Sequence, residues 1–164
     1  MAYDPGLFFT CDITKNFEIL IDVDGVRDRL RFDVVTSWEV MEHIAETDLN
    51  FVANNVRNHL VAGGLWIMSI SPHDDIIGGI NLHQTVQQRS WWISKMHNLG
   101  FDHLEEYVKY FNTQFIRGPK YGALGSFHLV LTNDRSQAPC IPQENLRKRF
   151  YDNWIGSKYQ KIVR

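Results

Sequence analysis

Apolar residues fall into a few compact runs along this chain, separated by polar stretches that carry glycine or proline. Leu7–Cys11 (LFFTC) predicts a short strand leaving through Asp12-Ile13-Thr14. Asn16–Arg31, with its charged second half and Gly25, predicts an irregular connection. Phe32, Val34 and Val35 open the stretch FDVVTSWEVMEHI as a strand buried on both faces and ending at Thr36–Ser37. Thr36-x-x-Glu39 has the spacing of a capping box, which predicts a short helix starting beside Ser37 or Trp38. Thr47 or Asp48 can then cap a helix whose Leu49, Val52, Val56 and Leu60 form one apolar stripe, with Gly63–Gly64 as its terminator. Leu65–Ile70 (LWIMSI) is a second buried strand. Strand, helix and strand with short links make a βαβ unit, and such a unit implies two parallel strands with a right-handed connection.

Ser71–Asn81 (SPHDDIIGGIN) predicts a loop leaving the carboxyl end of that second strand. A helix is expected from about Ser90, with Trp92, Met96 and Leu99 on one face and Gly100 closing it. Phe101–Phe111 predicts a strand, Asn112–Gly125 a loop, and Ser126–Thr132 (SFHLVLT) a last strand that can lie antiparallel to its predecessor at a sheet edge. Ser37, Glu39, Glu42 and His43 gather just past the carboxyl end of the first buried strand. In an open α/β sheet, ligands bind there.

Composition narrows the class. The 164 residues suit one domain with a sizeable core, and 44% apolar with 22% charged content is globular rather than disordered. A net charge of −2 selects no polyanionic partner. Two cysteines, Cys11 and Cys140, lie outside any metal-type spacing, so a reduced setting is expected. No segment reaches the roughly 18 apolar residues of a membrane span, and Met1–Thr10 lacks the pattern of a signal peptide. The expectation is a cytoplasmic protein with no membrane partner. Residues 1–133 read as the α/β domain and 134–164 as a basic, aromatic C-terminal extension. Such a tail can be a helix packed by its aromatics or a partly ordered extension; it can also touch nucleic acid, but length and charge disfavour that reading.

The run FDVVTSWEVMEHI, a helix, LVAGGLWIMSIS, NLH, a Trp-bearing helix ending in NLGF, and GSFHLVLTN together resemble the later half of class I S-adenosylmethionine-dependent methyltransferases. The closest style is that of the small-molecule enzymes with an "EVLEH" segment, and the resemblance covers about Leu7 to Thr132. It implies a Rossmann-like, mostly parallel sheet with flanking helices and an antiparallel last strand. It also implies S-adenosylmethionine as cofactor and a small molecule, such as a sugar or other hydroxyl-bearing metabolite, as methyl acceptor. Carried over by position, Asp12 matches the acidic residue near the adenine, and Thr36, Ser37, Trp38 and Glu39 match the cofactor-lining end of the fourth strand. Glu42–His43 match the EH pair, and Ser71–His83, with His73, Asp74 and Asn81, matches the substrate side.

Proton removal from a hydroxyl acceptor needs a base, and His83 and His43 are the candidates because a free imidazole titrates near about 6.5. The structural alternatives are that His43 packs its helix and His83 fixes a loop. Asp74 and Asp75 can orient a substrate but are read first as turn chemistry, Trp91 and Trp92 are read as core or cover, and Lys120 and Tyr121 can gate a substrate but are read first as loop residues. His43, His73, His83, Asp74 and Asp75 also admit a metal-dependent hydrolase, although no H-x-H or H-E-x-x-H spacing is present.

One departure is informative. The family holds its cofactor on a glycine-rich turn after the first strand and grips the ribose with an acidic residue after the second, yet no G-x-G occurs in this sequence. The fold is thus expected to be truncated, with the first two strands missing. The chain is then either a fragment of a longer enzyme with impaired cofactor binding or a reduced, non-enzymatic remnant. In both cases an exposed sheet edge favours a homo-oligomer or a complementing chain.

Overall fold

The computed structural model describes residues 9–111 and 125–141. Its elements in order are a hairpin of β1 (Leu20–Val23) and β2 (Val26–Arg29), then β3 (Phe32–Trp38), 3-10 turns at Met41–His43 and Glu46–Asp48, and α1 (Leu49–His59). Next come β4 (Leu60–Ile70), a small hairpin of β5 (Ile76–Ile77) and β6 (Ile80–Asn81), α2 (Arg89–Asn98), β7 (Asp102–His103), α3 (Glu105–Phe111) and β8 (Phe127–Thr132). A last 3-10 turn spans Arg135–Gln137.

Among the described residues the main sheet has the order β3-β4-β8-β7. β3 and β4 are parallel, joined through α1 as the sequence predicts, whereas β4 with β8 and β7 with β8 are antiparallel. The sheet is therefore mixed: β3, β4 and β7 run in one direction and β8 runs against them. β4 lies between two partners and is buried almost throughout, which explains its nearly unbroken apolar sequence. Its alternate side chains feed two cores. Trp66, Met68 and Ile70 pack with Leu49, Val52, Trp92 and Met96 beneath α1 and α2, while Leu65 and Ile67 meet Leu104 and Tyr107 at α3. No described helix is long and apolar enough to cross a membrane.

Several expectations are corrected. Phe9–Cys11 form no strand, and the predicted connection over 16–31 contains the β1–β2 hairpin. Its two turn residues, Asp24 and Gly25, have φ of 54° and 81°, the left-handed pair that a tight hairpin turn requires. β3 continues through Trp38 and lies at the sheet edge, leaving Phe32 and Val34 exposed, so it is not buried on both faces. The capping box does not form. Glu39 turns the chain with φ 52°, its N–H donates to the Ser69 carbonyl at 3.1 Å, and the first helical turn waits until Met41, without a side-chain cap.

Gly63 and Gly64 end no helix, because α1 stops at His59 and both glycines lie within β4. Phe101–Phe111 is split between the two-residue β7 and the helix α3. The loop after β4 holds the β5–β6 hairpin, turned by Gly78–Gly79. Lys120, Tyr121 and the tail beyond residue 141 lie outside the described residues.

Candidate functional site

α1 carries two polar residues, Asn55 and His59, on the same stripe as Val52 and Val56, and both are buried. They hold the strap 13–19 that precedes β1. Asn55 Nδ2 donates to the carbonyls of Ile13 (3.1 Å) and Lys15 (2.7 Å), and its Oδ1 accepts from Phe17 N–H at 3.3 Å. His59 Nε2 accepts from Ile19 N–H at 2.9 Å while its Nδ1 donates to the Asn55 carbonyl at 2.8 Å, and Phe17 stacks on the ring at 5.4 Å. An apolar groove of about 500 Å³ lies between the strap, α1 and β3, with Ile13, Phe17, Phe32, Val35, Val56 and Trp66 among its walls. Thr36, Ser37 and Trp38 line the same groove. Replacing Asn55 with alanine orphans three backbone groups, and a cost of about 2–3 kcal/mol is expected. The check is urea unfolding, together with faster proteolytic cleavage within 13–19 while the helical signal of α1 persists.

The second cluster is built past the carboxyl ends of β3 and β4. Glu42 is fully buried there. Its Oε1 accepts from Ser71 N–H at 2.9 Å, and its backbone carbonyl accepts from Gln84 N–H (2.7 Å) and Thr85 N–H (3.0 Å). One residue thus fixes both ends of the 71–85 loop. Among the described residues, Glu42 Oε2 and Ser71 Oγ are buried without a hydrogen-bond partner. Burial, above all, pushes the Glu42 carboxyl up from its ordinary value, and the nearby Glu39 carboxylate adds to this against the opposing hydrogen bond from Ser71.

Fixing the loop brings His83 against His43, ring centroids 4.6 Å apart and edge to face. His43 Nδ1 bonds the Leu82 carbonyl at 3.1 Å and His83 Nδ1 bonds the His73 carbonyl. A carbonyl only accepts, so both rings carry their proton on Nδ1 in the neutral form and keep the basic lone pair on Nε2. Asp74 and Asn81 belong to the hairpin itself. Asn81 Nδ2 donates to Asp74 at 2.7 Å, and its Oδ1 accepts from Asp75 N–H (3.2 Å) and His83 N–H (3.1 Å). The hairpin presents Ile76, Ile77 and Ile80 to solvent beside this cluster.

The structure thus brings His43, His73, His83, Asp74 and Asn81 to one loop cluster, next to Glu42. The remaining sequence candidates sit apart from it. Ser37 Oγ accepts from Trp66 Nε1–H at 3.2 Å, which turns it toward the α1 face. Trp38 packs on the α3-side core and meets His128 edge-on at 5.8 Å. Glu39 Oε2 lies 3.5 Å from Ser126 Oγ. Asp12 closes its own exposed turn by accepting from Thr14 Oγ1 (2.7 Å) and Thr14 N–H (2.9 Å), which hold its carboxyl below the usual carboxylate range.

Sequence reasoning left Asn55 and His59 out of the site and did not give Glu42 its bridging role. The signal for the first two was present, since positions 52, 55, 56 and 59 follow helical spacing and two of the four are polar.

No three described His, Cys, Asp or Glu side chains are grouped so as to hold a metal ion. The fit to S-adenosylmethionine is partial. The groove offers apolar walls beside Thr36–Trp38, but no described glycine forms a cradle at a strand-to-helix turn. A Cβ at Gly63 would strike the Gln137 backbone, one at Gly64 would meet Leu60, and those at Gly25, Gly78 and Gly79 would face open space. No protein-family model matches the chain, and no curated protein matches it significantly.

Proposed function

We propose that this chain supplies the later half of an S-adenosylmethionine-dependent methyltransferase domain acting on a small hydroxyl-bearing molecule, and that by itself it binds the cofactor weakly. The observation that carries the reading is the arrangement of the main sheet: parallel β3 and β4 joined by α1, with the final strand β8 inserted antiparallel beside β4. This arrangement supports the Rossmann-like half-sheet with an antiparallel last strand that the sequence resemblance implies. Among the described residues no strand pairs with the outer edge of β3, the side where the glycine-turn half of such a fold would continue. The paired imidazoles of His43 and His83 support a proton-accepting role toward a hydroxyl on the substrate side, each through Nε2.

The reading is tested by nitrogen–proton correlation spectra recorded with S-adenosylhomocysteine added to millimolar level. Shifts concentrated at residues 36–39 and at the Trp38 indole are expected. Shifts confined to surfaces away from β3 would contradict the placement.

The exposed edge also favours a second reading, a non-enzymatic remnant that works through association. Loss of the shifts at 36–39, with association retained, would select it.

A further inference from the structure

We infer that the outer edge of β3 pairs antiparallel with the same edge of a second copy of this chain, joining two four-stranded sheets into one. β3 is hydrogen-bonded to β4 on one side, and no described strand bonds its other side. Apolar side chains beside that edge are exposed or line the groove. Phe32 and Val34 are 37% and 47% exposed, and Val35 belongs to the wall of the 500 Å³ groove that lies against α1. A small apolar ligand or a helix could fill the groove, but either would leave a row of backbone N–H and C=O groups unpaired. An extended chain satisfies these groups while placing side chains on both faces.

The edge is also complementary to itself. Asp33 is the one charged residue in FDVVTSW, and antiparallel pairing centred on Val35 sets it opposite Ser37, so like charges do not meet. The same register places Val34 opposite Thr36 and brings Phe32 toward Trp38, an aromatic cross-strand pair of the kind that stabilises sheets. The irregularity between Phe32 and Val34 leaves Val34–Trp38 in regular register. Free edges are normally guarded by lysine or proline, and β3 has neither. A net charge of −2 opposes association only slightly. The inference concerns the chain by itself: the proposed function places the glycine-turn half at this same edge, so a complementing segment would compete with the second copy for it.

Sedimentation equilibrium of the full chain at roughly 10–100 µM is the test, because a dimer's population depends on concentration. A dimer is expected. The Val34→Lys/Thr36→Lys double variant, exposed at both sites in one copy, places four lysines across the seam and should weaken the dimer at least about tenfold while keeping the circular dichroism of the parent. Ile76→Lys, in the β5–β6 hairpin outside the main sheet, should leave association unchanged. A monomeric parent over that range overturns the inference and assigns the edge to a different chain. A double variant that still dimerises, or Ile76→Lys breaking the dimer equally, overturns it as well.

Discussion

Gly63→Ala is expected to be the most destabilising small substitution in the described fold. Gly63 has φ 74° and sits within β4 where the 135–137 turn crosses the strand. An added Cβ would lie 2.3 Å from the Gln137 carbonyl oxygen and 2.4 Å from its carbon, and backbone cannot step aside as a side-chain tip can. Left-handed backbone costs a residue with a Cβ about 1–2 kcal/mol, and overpacking typically adds about 1–3 kcal/mol, so about 2–5 kcal/mol is expected. The turn is further tied to this point by Asn133, whose Oδ1 accepts from Gly63 N–H at 3.0 Å and whose Nδ2 donates to the Val61 carbonyl at 3.1 Å. Gly78→Ala is the control. It has φ 61° but no atom within 4 Å of the added Cβ, so only the conformational cost of about 1 kcal/mol applies. Urea midpoints for the two variants measure the difference, and equal midpoints would show that the 135–137 turn does not press on β4.

Glu42 should give the second large effect, with a sign that depends on the replacement. Its carboxyl holds a proton to higher pH in the folded chain than the ordinary 4.5. The unfolded chain therefore releases that proton first, so this group's contribution is most favourable below about 4.5 and declines as pH rises through the raised folded value. Glu42→Gln keeps an oxygen for Ser71 N–H and abolishes the buried charge. It should match or exceed the parent in stability at pH 8, with that advantage shrinking toward pH 4. Glu42→Ala removes the acceptor and leaves a cavity, with an expected loss of about 2–4 kcal/mol. Thermal unfolding from pH 4 to pH 8 tests both. A Gln variant that loses as much as the Ala variant at pH 8 would mean that the carboxylate itself stabilises the loop.

What the sequence made legible follows from local pattern. α1, α2, β8 and the core of β4 are recognisable because their apolar spacing or continuity is unambiguous. The edge position of β3 is not local information: FDVV reads the same whether its neighbours are present or absent, and exposure of Phe32 and Val34 depends on what lies beside them. Asp24-Gly25 was a usable hairpin signal, obscured by the charges around it. Glu105-Glu106 likewise marked the first turn of α3, where acidic residues meet the positive end of the helix dipole, instead of an imperfect strand.

In the site, the approach of His43 to His83 needed the 71–85 loop to fold back onto Glu42, a contact across about forty positions that no spacing rule contains. Thr36-x-x-Glu39 failed as a capping box because β3 stays paired with β4 through Trp38, which delays the helical turn to Met41.

On the proposed function, these residues form one wall of a cofactor pocket whose glycine-turn wall is not in this sequence. Calorimetric titration with S-adenosylhomocysteine tests it most directly, first with this chain alone and then with a separate segment bearing a strand, a G-x-G turn and a helix. No micromolar binding by the chain alone is expected, with binding recovered when the segment is present. Micromolar binding by the chain alone, or none with the segment added, would contradict it.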